Sequence, residues 1–380
     1  MAADSTIRVG ILGAGANTRS RHIPGLQAIE GVEIVAVCNR SLASSQRVCD
    51  EFHIPRAEQE PDALLADAGI DAIVIGTWPY KHCPFTLKAL EQGKHVMTEA
   101  RMAMDAAEAE QMLAASRARP ELVAQVVPSP FTLHYDHLVR ELVDEKLGRL
   151  IGVRAAFCLG GPAVFDGAEK PWRRNEIYSG RNVMTLGIHY EAMMRWVGPV
   201  ASLCAQTRVV VDRGRNPETG QVEPITIPDH LGILGRMQRD DATFELFMSS
   251  VAGFDGSQEV WIYGSEGSIR VDLARHELHF ATRGDEALGP VDIDARRGPG
   301  WRVEEEFINA IRGREPIRFT TFEDGVRYMR FTDAVHASAA GGRRSRSTTM
   351  WPRSPAERNA TAGAGCHGLT RRASRAAHGH

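Results

Sequence analysis

Apolar and polar positions follow two different patterns along this chain of 380 residues. The first pattern covers the amino-terminal third. Short runs rich in valine and isoleucine predict buried strands at Val32–Cys38, 71–77 and 123–127. Between the strands, apolar residues recur at helical spacing, as at 84–92 and 105–117. Strands that alternate with helices in this way are typical of a parallel sheet covered by helices on both faces.

The rest of the chain is richer in strands. Strand-like runs follow one another at 151–158, 203–211, His230–Met237, 243–250, 259–263, 268–273 and 277–281. Their spacing predicts a largely antiparallel sheet, with helices at Val303–Ile311 and 322–338 and a linking helix at 132–145. An open face on such a sheet would expose a large apolar patch, so we expect that face to be a homo-oligomer interface.

The first predicted strand runs into a turn that contains Gly13, Gly15, Ala16 and Asn17, and a helical pattern follows. This is the context in which glycines hold the pyrophosphate of a dinucleotide. Gly13 would permit the tight turn, and Gly15 would let the backbone approach the phosphates. Thr18 stands where a third glycine usually falls. The pattern predicts a dinucleotide site, and an ordinary glycine-rich turn is the alternative.

The end of the second strand indicates which cofactor would bind. Folds that select NAD place an acid there to bind the adenosine ribose. This chain has Asn39, Arg40 and Ser41 instead, and these groups suit a 2′-phosphate better than a carboxylate would. The sequence therefore favours NADP, with NAD as the alternative.

Two further strand ends carry candidate cofactor residues. Thr77, Pro79 and His82 follow one strand, and Glu99 follows the next. Ligands of open parallel sheets bind at the carboxyl ends of the strands. We therefore expect these four residues to contact the cofactor.

Charge distribution excludes some partners. The net charge is −3, and the eight arginines and one acid from Arg343 onward give that tail +7, so the preceding residues carry −10. Such a body does not favour nucleic-acid binding. No apolar run approaches the length of a membrane span, and no spacing typical of a metal site occurs, so we expect a cytoplasmic protein without membrane or metal partners. The tail lacks apolar periodicity, and we expect it to be disordered.

From about residue 6 to residue 340, the sequence resembles the glucose-fructose oxidoreductase, inositol dehydrogenase and rhizopine-catabolism (Gfo/Idh/MocA) family. The matching features, in order, are the glycine turn, Thr77 with Pro79 and His82, the Gly93-Lys94-His95-Val96 strand with Glu99, Gly148-Arg149-Leu150-Ile151-Gly152, Gly187-Ile188-His189-Tyr190 and Arg195-Trp196. The resemblance implies an α/β Rossmann domain followed by an α+β domain with a large, mainly antiparallel open sheet. We place the cofactor domain at 1–130, the substrate and oligomerisation domain at 131–342 and the basic tail at 343–380.

The chain departs from the first family motif. Most members end the strand after Gly93 in Glu-Lys-Pro, whose lysine contacts nicotinamide and substrate, whereas this chain has Glu99-Ala100-Arg101. The missing proline removes the ordinary reason for a cis peptide bond. Arg101 cannot exchange protons at neutral pH, so we predict that it anchors the substrate or the transition state. A surface salt bridge is the alternative.

The second motif is also incomplete. Family members have an aspartate and then Gly-x-His, whereas here Thr185 replaces the aspartate while Gly187 and His189 are present. We predict that His189 takes the proton from a carbinol or returns it. Its partner would be the Thr185 hydroxyl, Glu191 or a backbone carbonyl. Tyr190 is a second candidate proton donor, and a core histidine is the structural alternative.

The segment before that motif supplies candidate substrate residues. Trp172, Arg173 and Tyr178, together with Thr185, combine stacking surfaces with hydrogen-bond donors. These groups suit a sugar, or an anionic substrate such as a uronate or a nucleotide-linked sugar. The sequence therefore predicts an NAD(P)-dependent oxidoreductase acting on a secondary hydroxyl or ketone of a sugar or cyclitol. Alternatives are a non-catalytic NADP-binding sensor and an enzyme that recycles a tightly bound cofactor.

Overall fold

The computed structural model describes residues 6–160, 169–298 and 300–342, together with the backbone of residues 345 and 346. Its strands are β1 (Ile7–Leu12), β2 (Val32–Cys38), β3 (Ala57–Glu58), β4 (Ala72–Ile75), β5 (His95–Thr98), β6 (Ala124–Val126), β7 (Leu150–Cys158), β8 (Val200–Arg208), β9 (Arg213–Arg215), β10 (Val222–Pro224), β11 (His230–Met237), β12 (Thr243–Ser249), β13 (Gln258–Gly264), β14 (Gly267–Asp272), β15 (Glu277–Thr282), β16 (Gly289–Pro290) and β17 (Ser345–Arg346). The α-helices are α1 (Ile23–Gln27), α2 (Leu42–Phe52), α3 (Pro61–Ala66), α4 (His82–Glu91), α5 (Ala106–Arg117), α6 (Asp136–Glu141), α7 (Glu176–Ser179), α8 (Leu186–Val197), α9 (Val303–Ile311) and α10 (Phe322–Gly341). No helix within these described residues has the length and apolarity required to span a bilayer.

The amino-terminal part is a six-stranded parallel sheet in the order β3-β2-β1-β4-β5-β6. The order in which successive strands are added to the sheet reverses at β1, which pairs with β2 on one side and with β4 on the other. Ligands of such folds bind at this reversal, outside the carboxyl ends of the strands. The predicted Rossmann arrangement is confirmed, and the short edge strand β3 is an element that the apolar pattern did not predict.

The carboxyl-terminal part is a nine-stranded sheet in the order β16-β15-β14-β13-β7-β12-β11-β8-β17. Strands β7 and β12 are parallel and the other neighbours are antiparallel, as expected. The helix predicted at 132–145 is shorter, because α6 begins at Asp136 and continues as a π-helical turn, Leu142–Lys146. The tail beyond residue 346 lies outside the described residues.

Helix α9 packs on the parallel sheet although it follows the second sheet in sequence. Its buried residues Val303, Phe307 and Ile308 join the cluster that contains Ile7 and Ile11 of β1. The chain therefore returns to its first domain after building the second. The expected boundaries at residues 130 and 342 treat each domain as one continuous segment, so they leave out this return of α9 to the first domain.

A buried ion-pair cluster holds α8 in place. Arg195 pairs with Asp136 at 2.7 Å and with Glu191 one helical turn away. Trp196 donates to Asp136 at 2.7 Å, and the Thr320 hydroxyl donates to Glu191 at 2.7 Å. Each buried charge thus has a partner, which avoids the cost of an isolated charge in the interior. The cluster fixes the helix that carries the second motif.

The outer face of the large sheet mixes apolar and charged side chains. Leu234 is 63% exposed and Phe247 is 37% exposed. Arg154 lies opposite Glu245 on β12 and opposite Trp261 on β13. This face has apolar residues that a partner surface could cover, interspersed with charges.

Candidate functional site

The glycine turn lies at the end of β1, where the topology predicts a ligand. Gly13 has a φ of 86°, and a Cβ there would lie 2.7 Å from the Thr77 amide nitrogen, so only glycine fits. The Ala14 amide donates to the Asn39 side chain at 2.7 Å. A Cβ on Gly15 would meet only the Gly76 carbonyl, at 3.6 Å. Gly15 is therefore open on the side where a phosphate would approach.

Threonine replaces the third glycine of the fingerprint without opening the turn. The buried Thr18 hydroxyl donates to the Gly13 carbonyl at 3.3 Å. Gly76 follows β4 and faces this threonine. A Cβ on Gly76 would lie 2.1 Å from the Thr18 hydroxyl, so this position needs glycine. Thr18–His22 form a π-helical turn that continues into α1, where Pro24 has no N–H to donate.

Beside the glycine turn is a cavity of about 440 Å³. Its lining consists of Ala14, Arg19, Asn39, Ser44, Arg47, Val48 and Glu51. Of the residues predicted to select the cofactor, Asn39 is used to hold the turn and Ser41 caps α2 through Ser44. The Arg40 side chain is 77% exposed and pairs with Glu218 at 2.6 Å. An exposed pair of this kind contributes little stability.

Glu99 is held by a cluster that the sequence did not reveal. Asn17 donates to the Glu99 carboxylate at 2.5 Å, and the His22 ring lies 3.0 Å from the same oxygen. The other ring nitrogen of His22 lies 2.5 Å from Glu304, which also accepts from Trp301 at 2.8 Å. The predicted cofactor residues Asn17 and Glu99 are therefore brought together.

His22 in this cluster is charged. Burial alone would lower its pKa, but hydrogen bonds to Glu304 and Glu99 outweigh burial and raise the pKa of His22 to about 9. Burial of Glu99 is likewise outweighed by the hydrogen bond and the charge of His22, and the pKa of that carboxyl is lowered. A buried imidazolium between two carboxylates thus fixes the end of β5 to α9.

Arg101 follows β5, and its side chain forms no ion pair with the described residues. The Ala100–Arg101 peptide bond is cis, although the missing proline made a trans bond the expectation. Arg101 is 2% exposed, and its Nε has no hydrogen-bond partner. Its aliphatic carbons would lie 3.4 Å from a Cβ on Gly187 of α8. Burial and the like charge of Arg173 lower the pKa of Arg101 to about 10. The surface salt bridge considered for Arg101 does not form.

His82 and Pro79 lie in the protein interior beneath the ends of β4 and β5. Both residues are buried, and the His82 ring lies 2.9 Å from the Thr77 carbonyl and 2.9 Å from the Arg101 carbonyl. The ring therefore links the ends of β4 and β5. Both ring nitrogens of His82 thus contact backbone carbonyls and support the local structure. The Thr77 hydroxyl, in contrast, is buried without a hydrogen-bond partner.

His189 has one satisfied and one free ring nitrogen. Nδ1 lies 3.0 Å from the Thr185 carbonyl, which can only accept, so Nδ1 carries the proton. Nε2 then has a free lone pair, and it is buried without a partner. The ring lies between Phe131, which follows β6, and Phe157 of β7. Burial lowers the pKa of His189 to about 4, so the imidazole is neutral at pH 7.

Tyr190 faces the core and not the site. It is 1% exposed, its ring stacks on Phe331 at 3.7 Å, and its hydroxyl accepts from the Val200 amide at 2.8 Å. Because successive helical residues differ by about 100°, Tyr190 and His189 point to different sides of α8. Thr185 precedes the helix, and its hydroxyl is buried without a partner.

Aromatic side chains join the turn after β4 to the helical segment between β7 and β8. Trp78 stacks on Trp172 at 5.7 Å and lies 4.8 Å from Tyr178, which also contacts Tyr80. The Arg173 guanidinium lies 4.3 Å from the centre of the Trp172 ring. The structure therefore brings the predicted substrate residues Trp172, Arg173 and Tyr178 together. Trp78 and Tyr80, from the turn between Thr77 and His82, complete this aromatic group.

The residues present fit a nicotinamide dinucleotide and a substrate. Four predicted site residues, Thr77, Arg101, Thr185 and His189, each have a buried polar atom without a protein partner. Buried polar atoms are normally hydrogen-bonded, so these four atoms are available to pair with a bound ligand. Within the described ranges, no group of three or more histidine, cysteine or acidic side chains is arranged to hold a metal ion.

Comparisons with known proteins agree with this geometry. Residues 7–127 match the oxidoreductase family with an NAD-binding Rossmann fold, and residues 137–270 match the GFO/IDH/MocA C-terminal domain. The chain is 29% identical over 343 residues to D-xylose 1-dehydrogenase (NADP(+)) 2 of Haloferax volcanii, a match covering 88% of this chain and 97% of the relative. It is 28% identical over 353 residues to D-glucoside 3-dehydrogenase of Escherichia coli, covering 90% and 97%.

A solved structure shares the fold at low sequence identity. Levoglucosan dehydrogenase in complex with NADH and L-sorbose superimposes with a TM-score of 0.79 at 18% identity. The match covers 91% of this chain and all of the other. Both sheets therefore occur together in that enzyme.

Proposed function

Because the chain belongs to the Gfo/Idh/MocA family of oxidoreductases, we propose that it is an NAD(P)-dependent dehydrogenase or reductase. Its substrate would be a sugar, a cyclitol or a close derivative that reacts at a secondary hydroxyl or ketone. The free Nε2 of His189 is the observation that carries this proposal. The names of the xylose and glucoside relatives support the substrate class.

The cofactor would bind along the carboxyl edge of the parallel sheet. The glycine turn would hold the pyrophosphate, and Asn17, Thr77 and Glu99 would line the path toward the second domain. When bound, the nicotinamide accepts or supplies the hydride of the reacting carbon. The family lysine is replaced by Ala100, so the proton must move through another group.

His189 is that group in this proposal. The Thr185 carbonyl holds Nδ1–H, and this fixes the tautomer whose Nε2 can take the hydroxyl proton as the carbinol is oxidised. In the opposite direction the same nitrogen returns the proton to the new hydroxyl. Arg101, whose aliphatic carbons lie beside Gly187 near the amino end of α8, would anchor the substrate.

We propose NADP as the preferred cofactor. No acid follows β2, Arg40 is exposed, and Arg19 and Arg47 line the adjoining cavity. The NADP specificity in the name of the xylose relative supports this preference. Isothermal titration should show tighter binding of NADPH than of NADH, and equal affinity or a preference for NADH would contradict the assignment.

The catalytic test compares two neighbouring residues. Turnover of a sugar panel is followed at 340 nm with wild type, His189→Gln and Tyr190→Phe. Loss of a general base lowers the rate by about 10²- to 10⁴-fold, so His189→Gln should lose turnover while still binding NADPH. Tyr190→Phe should keep it, because that hydroxyl is bonded in the core. Full turnover in His189→Gln would refute the assignment.

Ala100 and Thr185 also motivate a second candidate, a cofactor-binding sensor without catalysis. Both replace groups that the family motifs supply. In that case NADPH would bind, yet no substrate would oxidise it. Hydride transfer to any ketone of the panel, or from any alcohol, excludes this candidate.

We also propose that the chain forms a homo-oligomer through the outer face of the nine-stranded sheet. The exposed Leu234 and Phe247 on that face support the proposal. Sedimentation velocity should show an oligomer, and Leu234→Arg should dissociate it. A monomeric wild type would contradict the proposal.

A further inference from the structure

Arg101 and Arg173 have no acidic partner. Arg101 is 2% exposed with a free Nε, and among the described residues neither guanidinium forms an ion pair. The cost of burying an unpaired charge is large, and proteins normally avoid it. An unpartnered buried arginine therefore needs an explanation.

Other arginines in the same region are paired. Arg174, the neighbour of Arg173, donates to the buried Asp229 at 2.8 Å. Arg195, which is nearly as buried as Arg101, has both Asp136 and Glu191 as partners. The missing partner at Arg101 is thus a local feature and not a property of the whole fold.

The two free guanidiniums affect each other electrostatically. The charge of Arg173 contributes to the lowered pKa of Arg101. Arg173 is held on the face of Trp172, which stacks in turn on Trp78. Trp78 lies in the turn after β4, and the His82 ring links that turn to the Arg101 carbonyl, so these contacts hold Arg173 at the same pair of strand ends that carries Arg101.

Glu99 is the nearby acid, and it is already engaged. Burial lowers the pKa of Arg173, and the charge of the Glu99 carboxylate opposes that effect without overcoming it. However, the same carboxylate accepts from Asn17, from His22 and from the Ala100 amide. The imidazolium of His22 is shared between Glu99 and Glu304, so this cluster carries one net negative charge against the two positive charges of Arg101 and Arg173.

We infer that Arg101 and Arg173 bind an anionic group of the substrate, so that the substrate class is a sugar acid or a sugar phosphate. A planar guanidinium binds the two oxygens of a carboxylate or phosphate with paired hydrogen bonds. Such a group would supply the partner that Arg101 lacks. This inference rests on the proposed function for its sugar, but the anion site itself does not.

Binding is measured by calorimetry and by thermal shift, with and without saturating NADPH. The probes are D-glucuronate, D-glucose 6-phosphate and D-glucose. The variants are Arg101→Met, which keeps an aliphatic chain against Gly187, and Arg173→Gln. Arg181→Gln is the matched control, because its side chain is 57% exposed and lies 3.7 Å from Asp333.

At least one anionic probe should bind about tenfold or more tightly than glucose to wild type. Arg101→Met and Arg173→Gln should lose that preference, and Arg181→Gln should keep it. Arg101→Met should also raise the melting temperature without ligand, because it removes an uncompensated buried charge. Tighter binding of glucuronate would assign a carboxylate, and tighter binding of glucose 6-phosphate would assign a phosphate.

Two results would overturn the inference. They are equal affinity for glucose and both anions, and an anion preference that survives in both arginine variants. If hydride transfer proceeds with neutral sugars alone, the proposed function stands and the anion site fails. If an anion binds through Arg101 while NADPH does not bind, the anion site stands and the proposed function fails.

Discussion

The charged His22 between Glu99 and Glu304 makes the stability of the first domain depend on pH. The pKa of His22 is raised from 6.5 to about 9 in the folded chain, because its hydrogen bonds to the two carboxylates outweigh burial. Folding therefore favours the protonated ring. The resulting stabilisation is fully present below pH 6.5 and is lost as the pH rises through 9. A difference of this size corresponds to about 3 kcal/mol.

The assay is urea unfolding of wild type and His22→Gln at pH 6, 8 and 10. The free energy of unfolding should differ between the two proteins by about 3 kcal/mol at pH 6 and by much less at pH 10. His137→Gln is the control, since that histidine is exposed and bonds only the Arg296 carbonyl. A difference that does not change with pH, or a His22 pKa near 6.5 by NMR, would refute the reasoning.

Two further predictions concern the glycine turn and the proposed base. Gly15→Ala should keep wild-type stability, because its Cβ has room within the protein, yet lower NADPH affinity by about 10- to 100-fold, because the methyl group would hold the phosphate away from the backbone amides that donate to it. Gly13→Ala should instead lower the melting temperature, and equal behaviour of the two variants would contradict the assigned roles. For His189, whose pKa is lowered to about 4 by burial, the acid limb of kcat/KM for alcohol oxidation should fall near pH 4. An acid limb near pH 6.5 would show that the free ring is not buried as described.

Much of the fold follows from local pattern. The Val- and Ile-rich run of β2 and the periodic helix α9 lie where their sequences predicted, because each buries a continuous apolar face. Strand β3 has only two residues and carries no such pattern, and the sequence gives no sign of it. The linking helix begins at Asp136, later than its amphipathic pattern, and its last turn is a π-helix that ends at Lys146.

The site was less predictable because it depends on pairs far apart in sequence. His22 meets Glu99 and Glu304 only in the folded chain. One signal was available: Glu304 lies beside Val303 and one turn before Ile308, on the apolar stripe of α9, where a charge needs a buried partner. Tyr190 was a candidate by adjacency to His189, yet adjacent helical residues face different sides.

In the proposed enzyme, the glycine turn binds a nicotinamide dinucleotide and directs its reactive ring to the pocket of His189. A crystal structure of the NADPH complex tests this most directly. We expect the pyrophosphate against Gly13 and Gly15 and the nicotinamide within reach of His189 Nε2. A nucleotide bound elsewhere, or a nicotinamide ring remote from that imidazole, would contradict the account.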